Sequence, residues 1–174
     1  MKLSTLKRIP QRWRARAMRV GFNLNPAFRG TGGRVDYISP DLLRVRIRLA
    51  LTRKTRNFVG SLYGGSLFAV TDGVHVAMLL ASLQRDVIIW DKAAAIRYRK
   101  PAYSTVYADV RLSSRDLIDI CLELDNNHET SRKFTVELKD KAGTVYTVVE
   151  RLVYIADKAY YKQKMLVQEP GVQT

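Results

Sequence analysis

The stretch Arg56-Asn57-Phe58-Val59-Gly60-Ser61-Leu62-Tyr63-Gly64-Gly65-Ser66-Leu67-Phe68-Ala69-Val70-Thr71-Asp72-Gly73 decides how this chain folds. It opens as a polar loop, passes a glycine pair and becomes an apolar run that continues through Val74-His75-Val76-Ala77-Met78-Leu79-Leu80-Ala81-Ser82-Leu83. The run from Gly64 to Leu83 reads as one long helix, apolar on most sides, so other structure must cover it nearly all round. A single curved sheet wrapped about the helix would do so. Its one carboxylate, Asp72, falls two turns in, between Thr71 and Gly73. At the centre of a membrane span a carboxylate costs about 3 kcal/mol, which favours a buried central helix over a spanning one.

The flanking sequence supplies that sheet. Before the stretch, residues 34–38 read as a short strand, Ser39-Pro40-Asp41 as a turn, and residues 43–49 as a second strand. Val45, Ile47 and Leu49 alternate there with Arg44, Arg46 and Arg48, giving a buried face and an arginine face. After the stretch, Ile96 and Tyr98 alternate with Arg97 and Arg99 in a strand over 86–100, and Val106, Ala108, Val110 and Leu112 alternate over 105–112. Leu117, Ile120, Cys121 and Leu124 recur at helical spacing, so residues 115–125 are expected to be helical, with Ser114 as N-cap and Asp116 and Asp119 near the positive end. A strand is the rival there, since alternate positions 118, 120, 122 and 124 fit one too. Residues 132–138 and 144–155 form two strands joined by the hairpin loop 139–143. The class is α+β: one long helix against one mostly antiparallel sheet.

With 174 residues the chain is expected to form one domain, at 33–156, between a basic N-terminal extension (1–32) and a polar, frayed C-terminal tail (157–174). The net charge of +14 is concentrated at one end, because the first 56 residues hold fifteen Lys or Arg and two acids. Within the extension Pro10 is suited to a helix start, and Trp13, Ala17 and Val20 fall on one helical face with Arg12, Arg16 and Arg19 on another. This is either a solubilising arm packed by its tryptophan face, or a surface for an anionic partner such as a membrane, contacted by residues 1–30. Nucleic acid is not expected, since no RNA-binding signature is present and no aromatic residue interleaves the arginine strand. A single cysteine, Cys121, excludes an internal disulfide, and with only His75 and His128 besides it, no metal-binding spacing exists. No signal-peptide core precedes residue 36, and the expected compartment is the cytoplasm.

The segment Asn57-x-x-Gly60-x-x-Tyr63-Gly64-Gly65, followed by Asp72, resembles the signature of hotdog-fold acyl-CoA thioesterases, nearest to the phenylacetyl-CoA and 4-hydroxybenzoyl-CoA thioesterase branch. That pattern reads Asn-x-x-Gly-x-x-His-Gly-Gly, with a catalytic Asp or Glu nine residues after the His. Asp72 stands nine residues after Tyr63. The resemblance covers about residues 33–156. It implies a hotdog fold, a homo-oligomer with active sites at the subunit interface, an acyl-CoA or acyl carrier protein substrate, and no cofactor beyond the CoA of the substrate. Trp90-Asp91-Lys92 looks like the matching segment of a little-characterised thioesterase subgroup. Two departures stand out. Tyr63 replaces the usual His, and Asp91, beside Lys92, falls where many members carry a Ser or Thr that handles the attacking water.

The residue types suit thioester hydrolysis. Free N–H groups at the helix start, Gly64 and Gly65, are suited to hold an oxyanion, and one such donor is worth about 3–4 kcal/mol in the transition state. Asp72 is suited to act as general base or nucleophile; the structural alternative is a carboxylate that caps backbone groups or pairs with an Arg. Asn57 is suited to orient water or the carbonyl, or is simply a turn Asn. Gly60, Tyr63, Asp91 and Lys92 are the expected substrate contacts, and Arg53, Lys54, Arg56, Arg97, Arg99, Arg132 and Lys133 are candidates for gripping CoA phosphates or an acidic carrier protein. His75 is expected on the helix surface, one turn from Asp72, and His128 in a polar loop. The Tyr63 departure also allows a non-catalytic acyl-CoA or lipid binder on the same fold.

Overall fold

The structure is a computed structural model and describes residues 9–168. Six strands form one antiparallel sheet: β1 (Gly33–Ile38), β2 (Arg44–Leu49), β3 (Val87–Tyr98), β4 (Val106–Arg111), β5 (Glu129–Lys139) and β6 (Val145–Asp157). Their spatial order is β1-β2-β4-β5-β6-β3, so β1 and β3 are the two edges. The period-two pattern sets the register. Val45, Ile47, Val106, Ala108, Val110, Val136, Leu138, Val149, Val153 and Ile155 are buried and form the concave face. The helix against that face is buried at Val74, Ala77, Met78, Leu79 and Ala81. This is the hotdog arrangement that the motif implies.

The expected single helix over 64–83 is two. α3 (Gly64–Ala69) and α4 (Val74–Ser82) are separated by a turn at 70–73. Gly64–Ser82 as a whole is long and apolar enough to cross a membrane, but the turn interrupts it and the sheet wraps it. Local chemistry explains the break. Gly73 has φ +65° as the N-cap of α4, a left-handed value that only glycine adopts freely. Thr71 turns its hydroxyl back to the Phe68 carbonyl at 3.0 Å. That carbonyl also accepts from Arg151 at 2.8 Å, so a side chain of the sheet satisfies the end of α3.

The extension is not detached over its described part. α1 (Gln11–Leu24) and a short α2 (Pro26–Gly30), which the sequence reading does not anticipate, pack on β1 and bury Met18 and Phe28 in the core. The Asn25 side chain caps α2 by accepting from the Ala27 and Phe28 amides. Of the tryptophan face, Ala17 alone packs on the core. Met18 is buried and Phe22 joins the core, whereas Trp13 is 46% exposed. Residues 1–8 lie outside the described part.

The helix reading of 115–125 holds, over the wider span of α5 (Ser114–Asn127). Its N-cap is Ser113 rather than Ser114: Ser113 accepts from the Asp116 amide, and Asp116 accepts from the Ser113 amide. The tail is not frayed over its described length. α6 (Lys158–Gln168) follows β6 directly and brings Tyr161 against Trp90 at 5.2 Å between ring centroids. Burial of Tyr faces and the Lys164–Glu129 ion pair of 2.7 Å hold a helix that polar composition alone does not suggest.

Candidate active site

Arg151 is the organising residue. It sits in the middle of β6, paired to Ala94 of β3 on one side and Phe134 of β5 on the other. Its neighbours on the inward face, Val149 and Val153, are fully buried, and its own side chain is only 3% exposed. The guanidinium crosses to the α3–α4 turn. There it donates to Asp72 at 2.7 Å, to Asp91 at 3.3 Å, to the Phe68 carbonyl at 2.8 Å and to Thr71 Oγ1 at 3.1 Å. The Phe68 ring covers it at 4.5 Å. A buried guanidinium is stable only with partners of this kind.

The two acidic candidates are therefore brought together, sharing one cation, in unequal surroundings. Asp72 is 66% exposed and Asp91 only 16%. Burial pushes the Asp91 carboxyl up from its ordinary value, against the pull of Arg151 and an N–H from Gly73 at 3.4 Å. The expectation of a buried Asp72 is corrected: the turn at 70–73 places it outward, and the Arg-paired alternative is realised. A β-bulge in β3 follows Asp91, with exposed Lys92 as the extra residue between Asp91 and Ala93.

Beside Asp72 lies a cavity of about 420 Å³. Met18, Phe22 and Phe28 of α1 and α2 wall one side, and Ala69, Gly73 and Ala77 the other. Among the described residues, Asp72 is the only ionisable one lining it. An apolar cavity with one convergent carboxylate is the form a small-molecule site takes.

The glycine pair opens α3 immediately after Tyr63. Tyr98 donates its hydroxyl to the Gly64 carbonyl at 3.0 Å. A Cβ on Gly65 would lie 2.4 Å from the Tyr63 ring, so a side chain there would displace that exposed ring from the backbone. Asn57 is not gathered into the carboxylate cluster. Its oxygen accepts from the Val59 and Ser61 amides and its nitrogen donates to Ser61 Oγ at 2.9 Å, the work of a turn Asn. Gly60, at φ +86°, belongs to the same turn. Among the cationic candidates, Arg132 and Lys133 are engaged by Glu123 and Glu150, while Arg53, Lys54, Arg56, Arg97 and Arg99 are exposed.

His75 is buried rather than at the surface. It stacks on Phe134 at 4.3 Å, and its Nδ1 has no partner among the described residues. Burial, with the nearby Arg151 charge, lowers its pKa from 6.5 to about 4, against a weaker opposing pull from Asp116. The unfolded chain binds this proton near pH 6.5 and the folded chain only near pH 4. The resulting stability is full above pH 6.5 and is lost as pH falls through about 4, an effect on the order of 3 kcal/mol. Urea denaturation from pH 7 to 4 is expected to show this loss, and His75→Phe to flatten it. Equal slopes for the two proteins would refute a buried neutral His75.

The sequence matches the profile of a family described as a domain of unknown function, DUF4442, over residues 14–155. The chain belongs to the DUF4442 family. A search of curated proteins finds no significant match. In structure, this DUF4442 domain is similar to a protein of unknown function from Pseudomonas aeruginosa described as a probable thioesterase, at 22% identity and a TM-score of 0.72, covering 85% of this chain and 96% of that one. It is similar to a thioesterase from Haemophilus influenzae (11% identity, TM-score 0.58, covering 79% of this chain and 87% of that one). The PaaI protein of the E. coli phenylacetic acid degradation operon is a third (11% identity, TM-score 0.57, 83% and 92%). At these identities the likeness establishes the fold alone, the hotdog fold. The DUF4442 match begins inside α1, so the family includes most of the helix pair that walls the cavity.

Arg151 is the site residue that the motif misses. A signal existed, because Thr147, Val149, Arg151, Val153 and Ile155 share one face of a strand whose other members are buried. A cation in that apolar phase demands a carboxylate partner.

Proposed function

We propose that this protein hydrolyses acyl thioesters, with Asp72 as the group that activates water or attacks directly. The observation that carries the reading is the placement of Asp72: anchored by a buried guanidinium, and the only ionisable one of the described residues on an apolar cavity. The fold shared with thioesterases supports the same reading. In the general-base route, Asp72 takes a proton from water as the oxygen adds to the thioester carbonyl carbon. Amide groups of the first turn of α3, at Gly64 and Gly65, receive the developing oxyanion. Collapse breaks the C–S bond, and the thiolate leaves with the proton. Arg151 holds Asp72 in place. The acyl group occupies the cavity, and the anionic end of CoA or of an acyl carrier protein meets the exposed cations Arg53, Lys54 and Arg56.

Among the described residues the edge strand β3 has an unpaired side over Val87–Tyr98, and it carries small exposed residues at Ala93, Ala94 and Ala95. A second copy pairing there would continue the sheet and complete a homodimer. A cytoplasmic location is part of the same proposal.

Tyr63 in place of His, and the consumption of Asn57 in its own turn, favour a second reading: an acyl-thioester binder without turnover. A panel of acyl-CoA substrates of increasing chain length separates the two. Hydrolysis is expected, with Ala69→Leu raising KM about tenfold or more for longer chains by filling the cavity, while short chains react as before. Tight binding of every acyl-CoA without thiol release would make the protein a binder.

A further inference from the structure

Helix α1 has two apolar faces, and among the described residues the fold covers mainly one. Met18 and Phe22 point into the domain. On the far side, Trp13, Val20 and Leu24 recur at steps of seven and four, which lines them up along the helix, with Ala17 at the margin packed on the core. Trp13 and Val20 are each 46% exposed and Leu24 is 66% exposed. The helix cannot roll to bury this stripe. Asn23 pairs with both backbone groups of Val35 on edge strand β1, at 2.9 Å each, and Met18 is locked in the core.

Around the stripe the charge is of one sign. α1 contains four arginines and no acid. The guanidinium groups of Arg12 and Arg16 lie 6.0 and 5.7 Å from the Trp13 ring. At the C-terminal end, Arg19 and Arg34 line a cleft of about 460 Å³ with Val20 and Leu24. Among the described residues the one acid in that cleft, Asp36, is engaged by Arg48 at 3.2 Å.

We infer that the outer face of α1 docks on an anionic phospholipid bilayer, with Trp13, Val20 and Leu24 in the headgroup–acyl boundary and the arginines among the phosphates. An amphipathic helix lying in the interface plane uses this pattern of tryptophan, aliphatic residues and flanking arginine. A second copy does not fit the stripe. Two-fold pairing would bring the same arginines against one another in a dry contact. Pairing of β3 edges leaves the stripe open, because α1 packs on β1 at the opposite end of the sheet. The inner face of α1 walls the cavity beside Asp72, so docking places that cavity within one helix diameter, about 10 Å, of the lipid. The inference rests on α1 alone and stands whether or not the protein hydrolyses thioesters.

The test is sedimentation of the full-length protein with vesicles of phosphatidylcholine alone, or with about one third phosphatidylserine, at low and near-physiological salt. Binding is expected only to the anionic vesicles and is expected to weaken with salt. Arg12→Gln with Arg16→Gln should weaken it about fivefold per arginine. Trp13→Ser with Val20→Ser and Leu24→Ser should weaken it at least about tenfold, without changing the circular dichroism, because all three side chains are exposed. In a Trp90→Phe background Trp13 is the sole indole, and its emission should shift blue on adding anionic vesicles. Three results overturn the inference: no binding to anionic vesicles, binding that the serine variant leaves intact, or a serine variant that changes oligomeric state while the wild type ignores vesicles.

Discussion

Asp72→Asn is expected to lower kcat for acyl-CoA hydrolysis by about 10²–10⁴-fold, the usual contribution of a positioned base. The amide has the size of the carboxylate but takes no proton from water. Folding should survive, since Asp72 is 66% exposed and an ion pair that open to solvent is worth about 0–1 kcal/mol. Arg151 keeps Asp91, Thr71 and the Phe68 carbonyl as partners. KM should change little, because a carboxylate that meets the reacting water gives the acyl chain little grip. The measurement is thiol release under steady-state conditions, alongside thermal denaturation of both proteins. Asp91→Asn is the control. It faces the guanidinium from a buried position and is expected to cost less than Asp72→Asn. A larger loss in Asp91→Asn would move the base to Asp91, and unchanged kcat in Asp72→Asn would remove Asp72 from the chemistry.

Arg151→Met carries the largest expected effect on stability, about 3–5 kcal/mol, the cost of taking one partner from a buried ion pair. The variant leaves the Asp91 carboxylate without its cation, and strips donors from the Phe68 carbonyl and Thr71 at the α3–α4 turn. Loss of the guanidinium raises the Asp91 carboxyl further above its ordinary 3.8. A carboxyl whose folded pKa lies above its unfolded value favours the fold in its protonated form. Its contribution is full below pH 3.8 and is lost as pH rises through the folded value. Arg151→Met should therefore lag the wild type most near neutral pH. Adding Asp91→Asn should recover part of the loss, and chemical denaturation of the four proteins of this cycle measures the coupling. A single variant within about 1 kcal/mol of wild type would mean that the guanidinium is not what holds the turn.

The elements read most readily in the sequence were those whose pattern is local. Val45, Ile47 and Leu49 alternate with arginines whether or not a partner strand is known, and they form β2. The capping box at Ser113 and Asp116 likewise sits within one turn of chain, although its first residue was placed one position late. Asp72 could be singled out because a carboxylate in an apolar run asks for a reason. Its surroundings could not be read, because Arg151 stands 79 positions away and meets it only across the sheet.

Sequence alone therefore determined the class of fold, the glycine-led helical run over the sheet, and the suspicion attached to Asp72. Each rests on periodicity or on the chemistry of neighbouring residues. Tertiary structure decided the rest. It broke the helix at Gly73, turned Asp72 outward onto Arg151, buried His75, and folded α1 and α2 over the cavity. Those outcomes depend on which distant groups arrive within hydrogen-bond and van der Waals reach, and no local pattern encodes that distance.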